Sequence, residues 1–186
     1  TVGLPLPGVD IKITSPETGK EISVDEIGQI EVRGPNVFKG YWKMPEKTKA
    51  ELRENGYFIT GDLGKMDNRG YVTITGRIKD MIIRGGENHF PAEIENVLRQ
   101  HEAISDVAVV GIPDETWGEV IAAFIRFHNK PVKTKHLKRF CKQEISSQKI
   151  PSIWRLVEAF PLTGSGKIKK FQLRDMELAD QTILLD

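Results

Sequence analysis

Three segments of the chain carry side chains that could do chemistry. In Tyr57-Phe58-Ile59-Thr60-Gly61-Asp62-Leu63 a carboxylate directly follows a glycine. Glycine lacks a Cβ, so a ligand can approach its backbone closely, and the Asp62 carboxylate can accept two hydrogen bonds, as a ribose diol requires. Thr60 and Asp62 equally suit a turn that satisfies its own backbone. The second segment runs Gly76-Arg77-Ile78-Lys79-Asp80-Met81-Ile82-Ile83-Arg84-Gly85-Gly86-Glu87-Asn88 and continues as His89-Phe90-Pro91-Ala92-Glu93-Ile94-Glu95. Gly85-Gly86 can take positive φ and admit a narrow ligand ahead of a helix N-terminus, or can be simply a loop. The third, Pro161-Leu162-Thr163-Gly164-Ser165-Gly166-Lys167-Ile168-Lys169-Lys170, is a flexible loop presenting Lys167. A phosphate-binding P-loop needs glycine where Pro161 stands and Ser or Thr where Ile168 stands, so this is not one. Taken alone, Lys167 is a solvated surface lysine.

The elements that must position these residues fall into two patterns. Asp10 to Ile13, Gln29 to Arg33 and Tyr71 to Thr75 alternate polar and apolar residues, which predicts short half-buried strands. Pro45 to Arg53 predicts a helix with a proline near its start and a charged face. After Asp80 the pattern changes. Pro91 opens a helix with Ile94, Val97 and Leu98 on one face, Val107 to Ile112 and Val120 to Phe127 are nearly continuous apolar strands, and Leu137, Phe140, Cys141 and Ile145 mark a second amphipathic helix. A third strand is expected at Trp154 to Val157. The natural boundary lies near Lys79.

Composition bounds the partners. With 27 basic and 26 acidic residues in 186, no global field favours nucleic acid or an anionic membrane. Cys141 is the single cysteine and cannot form an internal disulfide; it is expected in the core. No apolar run approaches the roughly 20 residues of a membrane helix, which predicts no transmembrane segment and a cytoplasmic location, or the mitochondrial matrix after loss of an upstream transit segment. The abrupt Thr-Val-Gly opening suggests the middle of a longer chain.

Gly28-Gln29-Ile30-Glu31-Val32-Arg33-Gly34, Gly40-Tyr41-Trp42, Thr60-Gly61-Asp62-Leu63, Gly76-Arg77-Ile78-Lys79-Asp80 and Gly164-Ser165-Gly166-Lys167 follow one another in an order and spacing that resembles the AMP-forming acyl-CoA synthetases, members of the adenylate-forming superfamily. The resemblance covers essentially the whole chain. It implies a β-rich segment over residues 1–78, the distorted-barrel-like end of a large domain, followed by a small mobile α+β domain over residues 79–186. It also implies activation of a carboxylic acid, a fatty acid by preference, with ATP to an acyl-adenylate, then transfer to CoA.

On that resemblance Asp62 holds the ribose hydroxyls and Arg77 assists there or at the phosphate. Lys167 stabilises charge developing on the α-phosphate and acyl carboxylate. Lys79 matches the hinge position, where many relatives carry aspartate. Gly85, Gly86 and Glu87 match the loop lining the pantetheine tunnel. Trp117, in Asp114-Glu115-Thr116-Trp117-Gly118, matches a CoA-contacting position in some relatives or is a packed core aromatic. Arg84 and Arg155 could meet CoA phosphates or be solvated. Substrates are the acid, ATP (leaving as AMP) and CoA; the magnesium ligand, phosphate loop, adenine-contacting segment and acyl pocket of the family fall outside this chain, so no metal-binding residue is expected in it and the upstream large domain is its partner. Two alternatives stand beside this reading: a non-catalytic CoA- or nucleotide-binding module of the same fold, and a peptide-synthetase adenylation domain.

Overall fold

Period-two alternation builds the first sheet. In the computed structural model, which describes Thr1–Asp186, strands β1 (Asp10–Thr14), β2 (Gly28–Arg33), β3 (Phe58–Met66) and β4 (Val72–Arg77) pair antiparallel in the order β1-β2-β3-β4. Ile13, Ile30 and Val72 form a small core with Ile11, Ile22, Val32 and Met66 packed against it. Elsewhere in the sheet Glu31 is fully buried. Arg53 grips it with Nε and Nη2 at 2.8 and 2.7 Å, Thr14 Oγ1 donates to it at 2.8 Å, and Lys12 Nζ lies 3.2 Å away. Burial pushes this carboxyl up, but the hydrogen bonds from Arg53, Thr14 and Lys12 together hold it below its ordinary value.

Helix α1 spans Pro45–Glu51, two residues shorter than the sequence pattern predicts. Arg53 lies beyond its end and turns to Glu31 instead of continuing the charged helix face. These four strands form an open sheet and do not by themselves close into a barrel.

The chain divides into two compact units, Thr1–Lys79 and Asp80–Asp186. In the second, β5 (Ile82–Arg84) and β6 (Glu87–His89) form a hairpin, followed by α2 (Pro91–Leu98), β7 (Ile104–Asp114), β8 (Gly118–Phe127), α3 (Thr134–Glu144), β9 (Ile153–Leu156), α4 (Lys170–Leu178) and β10 (Ile183–Leu184). Strand β8 pairs with β7 along its length, takes β9 in parallel, and meets β5 at Gly118. The crossover carrying α3 is what makes the β8–β9 pairing parallel.

The apolar runs of β7 and β8 are continuous because both faces of this sheet are covered. Val107, Val109, Ile121, Ala123 and Ile125 pack with Ile94 and Leu98 of α2 and Leu137 and Cys141 of α3. Ala108, Val110, Ile112, Ala122 and Phe124 pack with Phe160 and with Leu173 of α4. Cys141 is in the core as expected, its thiol pushed up to about 11 by burial. No helix is long and apolar enough to cross a membrane.

Candidate functional site

In the first unit a bulge aims Asp62 outward. Gln29 pairs with Leu63 and Glu31 with Ile59, so Ile30 alone faces Thr60, Gly61 and Asp62. Gly61 has φ +75° and open space around its missing Cβ, so backbone conformation, not crowding, calls for glycine there. Thr60 Oγ1 donates to the Ile30 carbonyl at 2.9 Å and accepts the Asp62 N–H at 3.0 Å, locking the bulge to β2. The segment is therefore part of a strand, which replaces the self-contained turn.

Asp62 and Arg77 are direct partners across the β3–β4 ladder, with Arg77 Nε 2.9 Å from Asp62 Oδ1. Asp62 Oδ2 has no protein partner, and the Asp62 side chain is 28% exposed. An anchored carboxylate with one open oxygen beside a guanidinium with free N–H groups can accept from a diol and donate to an anion. Lys79 lies in a 3-10 turn, Ile78–Asp80, where it is exposed and unpaired.

In the second unit the β5–β6 hairpin turns at Gly85 and Gly86, with φ +59° and +82°. Positive φ at both central residues is what a tight two-residue hairpin demands. The Gly85 N–H donates to the Trp117 carbonyl at 2.8 Å, and a Cβ on Gly85 would stand 3.0 Å from Trp117 Cε3. Asp114 Oδ1 accepts the N–H groups of Thr116 and Trp117, both at 2.9 Å, and so shapes the loop that holds the indole. Arg84 stacks its guanidinium 5.1 Å from the indole centroid and donates from Nη1 to the Gln148 carbonyl at 2.7 Å.

Trp117 is 50% exposed, so the core-aromatic alternative is overturned; the ring is a lid on the glycine turn. Gly85, Trp117 and Arg84 come together here, while Glu87 stays exposed. Arg155 does not serve as a free cation. Its guanidinium forks onto Glu177 at 2.7 and 2.5 Å, holding β9 to the far end of α4.

Lys167 sits on a closed turn. The Thr163 N–H donates to the Lys167 carbonyl at 2.8 Å, the Lys167 N–H donates to Thr163 Oγ1 at 3.1 Å, and Gly166 takes φ +79°. The side chain is exposed and makes no ion pair, so its ammonium is free to meet an anion.

Two residues escaped the sequence reading. His89 is 3% exposed and neither ring nitrogen has a hydrogen-bond partner. Burial, then the cations Arg84 and Lys149, push its pKa below the ordinary value against the pull of Glu87 and Glu93. Glu95, 6% exposed, is a charged residue inside the apolar face of α2. Its position four residues after Pro91 and three before Leu98, in the same stripe of the helix, was the available signal. No three His, Cys, Asp or Glu side chains gather into a metal cluster, so these residues offer no ligand set for the magnesium ion that the resemblance implies.

Comparison with known proteins gives the same family throughout. The model described as AMP-binding enzyme C-terminal domain matches residues 93–167, and the one described as AMP-binding enzyme matches residues 1–42. The mitochondrial medium-chain acyl-CoA ligase ACSF2 of Mus musculus is 43% identical over 176 residues, covering 94% of this chain and 29% of the ligase. The crystal structure of ATP-bound MatB from Rhodopseudomonas palustris matches with a TM-score of 0.90 at 42% identity, over 96% of this chain and 36% of MatB. The o-succinylbenzoate CoA synthetase of Bacillus subtilis, in complex with its acyl-adenylate intermediate, matches with a TM-score of 0.87 at 38% identity, over 92% of this chain and 34% of that one. The chain spans about a third of the length of these proteins.

Proposed function

The chain belongs to the AMP-binding enzyme family, and from that premise we propose that it is the C-terminal part of an acyl-CoA synthetase joining a carboxylic acid to coenzyme A with ATP. An oxygen of the acid's carboxylate attacks the α-phosphorus of ATP; the new O–P bond forms as the bond to pyrophosphate breaks, giving an acyl-adenylate. The CoA thiol then loses its proton and attacks the acyl carbon, forming the C–S bond and releasing AMP.

The observation that carries this reading is the Asp62–Arg77 pair, a carboxylate with one oxygen held by a guanidinium at 2.9 Å and the other open. Asp62 accepts from the ribose hydroxyls, and Arg77 neutralises it while facing the phosphate. Lys167, with a free ammonium on a hydrogen-bonded turn, stabilises the charge that develops at the α-phosphate and carboxylate. Gly85, Gly86 and Glu87 form the wall along which pantetheine passes, and Trp117 with Arg84 flanks its entry. Lys79 is the hinge on which the second unit turns between the half-reactions; its exposure and lack of partners suit that role.

The acid in this reading is a fatty acid. The deciding experiment is acid-dependent ATP–pyrophosphate exchange by the full-length protein across fatty acids of graded chain length, followed by thioester formation on adding CoA. Exchange with a fatty acid and subsequent acyl-CoA are the expected result. Nucleotide binding without exchange would make the protein a non-catalytic binder, and exchange without transfer to CoA would point to a carrier-linked adenylation domain. The 186-residue chain by itself, spanning about a third of its relatives, is expected to release no pyrophosphate.

A further inference from the structure

We propose that Glu95 and Lys170 are positioning residues for Lys167, a clamp that sets where the lysine-bearing turn stands on the second unit; the proposal rests on the reading of Lys167 as the adenylating lysine. Lys170 is the first residue of α4 and lies three positions after Lys167. Its Nζ is 2.6 Å from Glu95 Oε1. The same oxygen accepts the Val109 N–H of β7 at 2.8 Å, while Arg99 lies 3.7 Å from Oε2. Glu95 thereby ties α2, the central hairpin and the start of α4 to one nearly buried carboxylate.

The turn between Pro161 and Lys170 transmits that position. Leu162 and Ile168 form a β-bridge, and the Lys169 N–H donates to the Pro161 carbonyl at 2.8 Å. With the turn closed in this way, displacement of Lys170 carries Lys167 with it. Further along α4, Arg174 pairs with Glu119 at 3.3 Å and Glu177 with Arg155 at 2.5 Å, so the helix is pinned at start, middle and end. The Lys170 pin is the one nearest the turn.

A partly buried ion pair is a poor device for stability alone, since apolar residues of similar volume often pack as well or better. It is a good device for direction, because its geometry is specific. In a charge-stabilised reaction placement matters steeply: a 1 Å error at the reacting groups can cost about 100-fold.

The test is made in the full-length enzyme with both half-reactions measured separately. Lys170→Met and Glu95→Gln should each lower kcat for adenylation by about 10- to 100-fold, with KM for ATP and acid within about twofold. Thioester formation from preformed acyl-adenylate should keep the wild-type rate, and Lys170→Arg, which keeps the charge, should retain most of the adenylation rate. Thermal unfolding of each variant supplies the structural control. Wild-type protein without acid-dependent exchange, or exchange indifferent to Lys167→Ala, would overturn the underlying reading of the site. Exchange that depends on Lys167 but is unchanged in Lys170→Met would overturn the clamp. So would equal loss of both half-reactions in step with lost folded protein.

Discussion

Arg77 stands directly opposite Asp62 in the β3–β4 ladder and donates from Nε to Asp62 Oδ1 at 2.9 Å, leaving Oδ2 open. The bulge at Thr60-Gly61-Asp62 creates this relation: it turns three residues of β3 against one of β2 and brings the carboxylate to the end of the strand pair. The guanidinium fixes which oxygen is left open.

Asp62→Asn keeps the shape and removes the charge. Hydrogen bonds to charged groups contribute about 1.5–3 kcal/mol net, so KM for ATP in the full-length protein should rise roughly 10- to 100-fold. Steady-state pyrophosphate exchange measures it. An unchanged KM would take Asp62 out of the nucleotide site.

Lys167→Ala should slow adenylation by about 100-fold or more, as loss of a positioned charge does. Transfer to CoA from preformed acyl-adenylate should change far less. Single-turnover measurement of each half-reaction separates the two, and equal losses would make Lys167 structural.

Lys79→Pro fixes φ near −65° and removes an amide donor within the 3-10 turn Ile78–Asp80. If the turn is the hinge, one orientation is trapped: adenylation survives and CoA transfer collapses. Acyl-CoA production at the wild-type rate would remove the hinge.

Gly85→Ala and Gly86→Ala place a methyl group on residues of φ +59° and +82°. Both carry the backbone cost of about 1–2 kcal/mol for a left-handed residue. Only Gly85 adds a contact, 3.0 Å from the Trp117 ring, whereas Gly86 has open space around it. Thermal unfolding should therefore show Gly85→Ala to be the less stable, with a change in Trp117 emission that Gly86→Ala lacks. Equal midpoints and unchanged emission in both would mean that the indole does not pack on the turn.

His89 is held neutral by burial, below the ordinary 6.5. The unfolded chain takes up a proton near 6.5 that the folded chain refuses, so the stability His89 contributes is full above that pH. It is lost as pH falls through the lower folded value, with a slope of at most about 1.4 kcal/mol per pH unit. Denaturant midpoints from pH 7.5 down to 5 should fall in the wild type and fall less steeply in His89→Leu. Parallel curves would place the pH dependence elsewhere.

What the sequence determined by itself was local or periodic. Alternation located β1 and β2, the apolar runs located β7 and β8, and Pro91 with Ile94 and Leu98 located α2, because burial on one or two faces writes its period directly into the chain. The ordered motifs around Asp62, Arg77 and Lys167 named the family. Tertiary structure decided what depends on residues distant in sequence. The bulge at Asp62 exists only against Ile30 of β2, the exposed lid of Trp117 only against Gly85, and Arg155 is spent on Glu177 rather than free for a phosphate. The same holds for Glu95 and Lys170, 75 positions apart and 2.6 Å from each other. No local pattern encodes such a pair, since a charge in an apolar stripe names no partner until packing brings one to it.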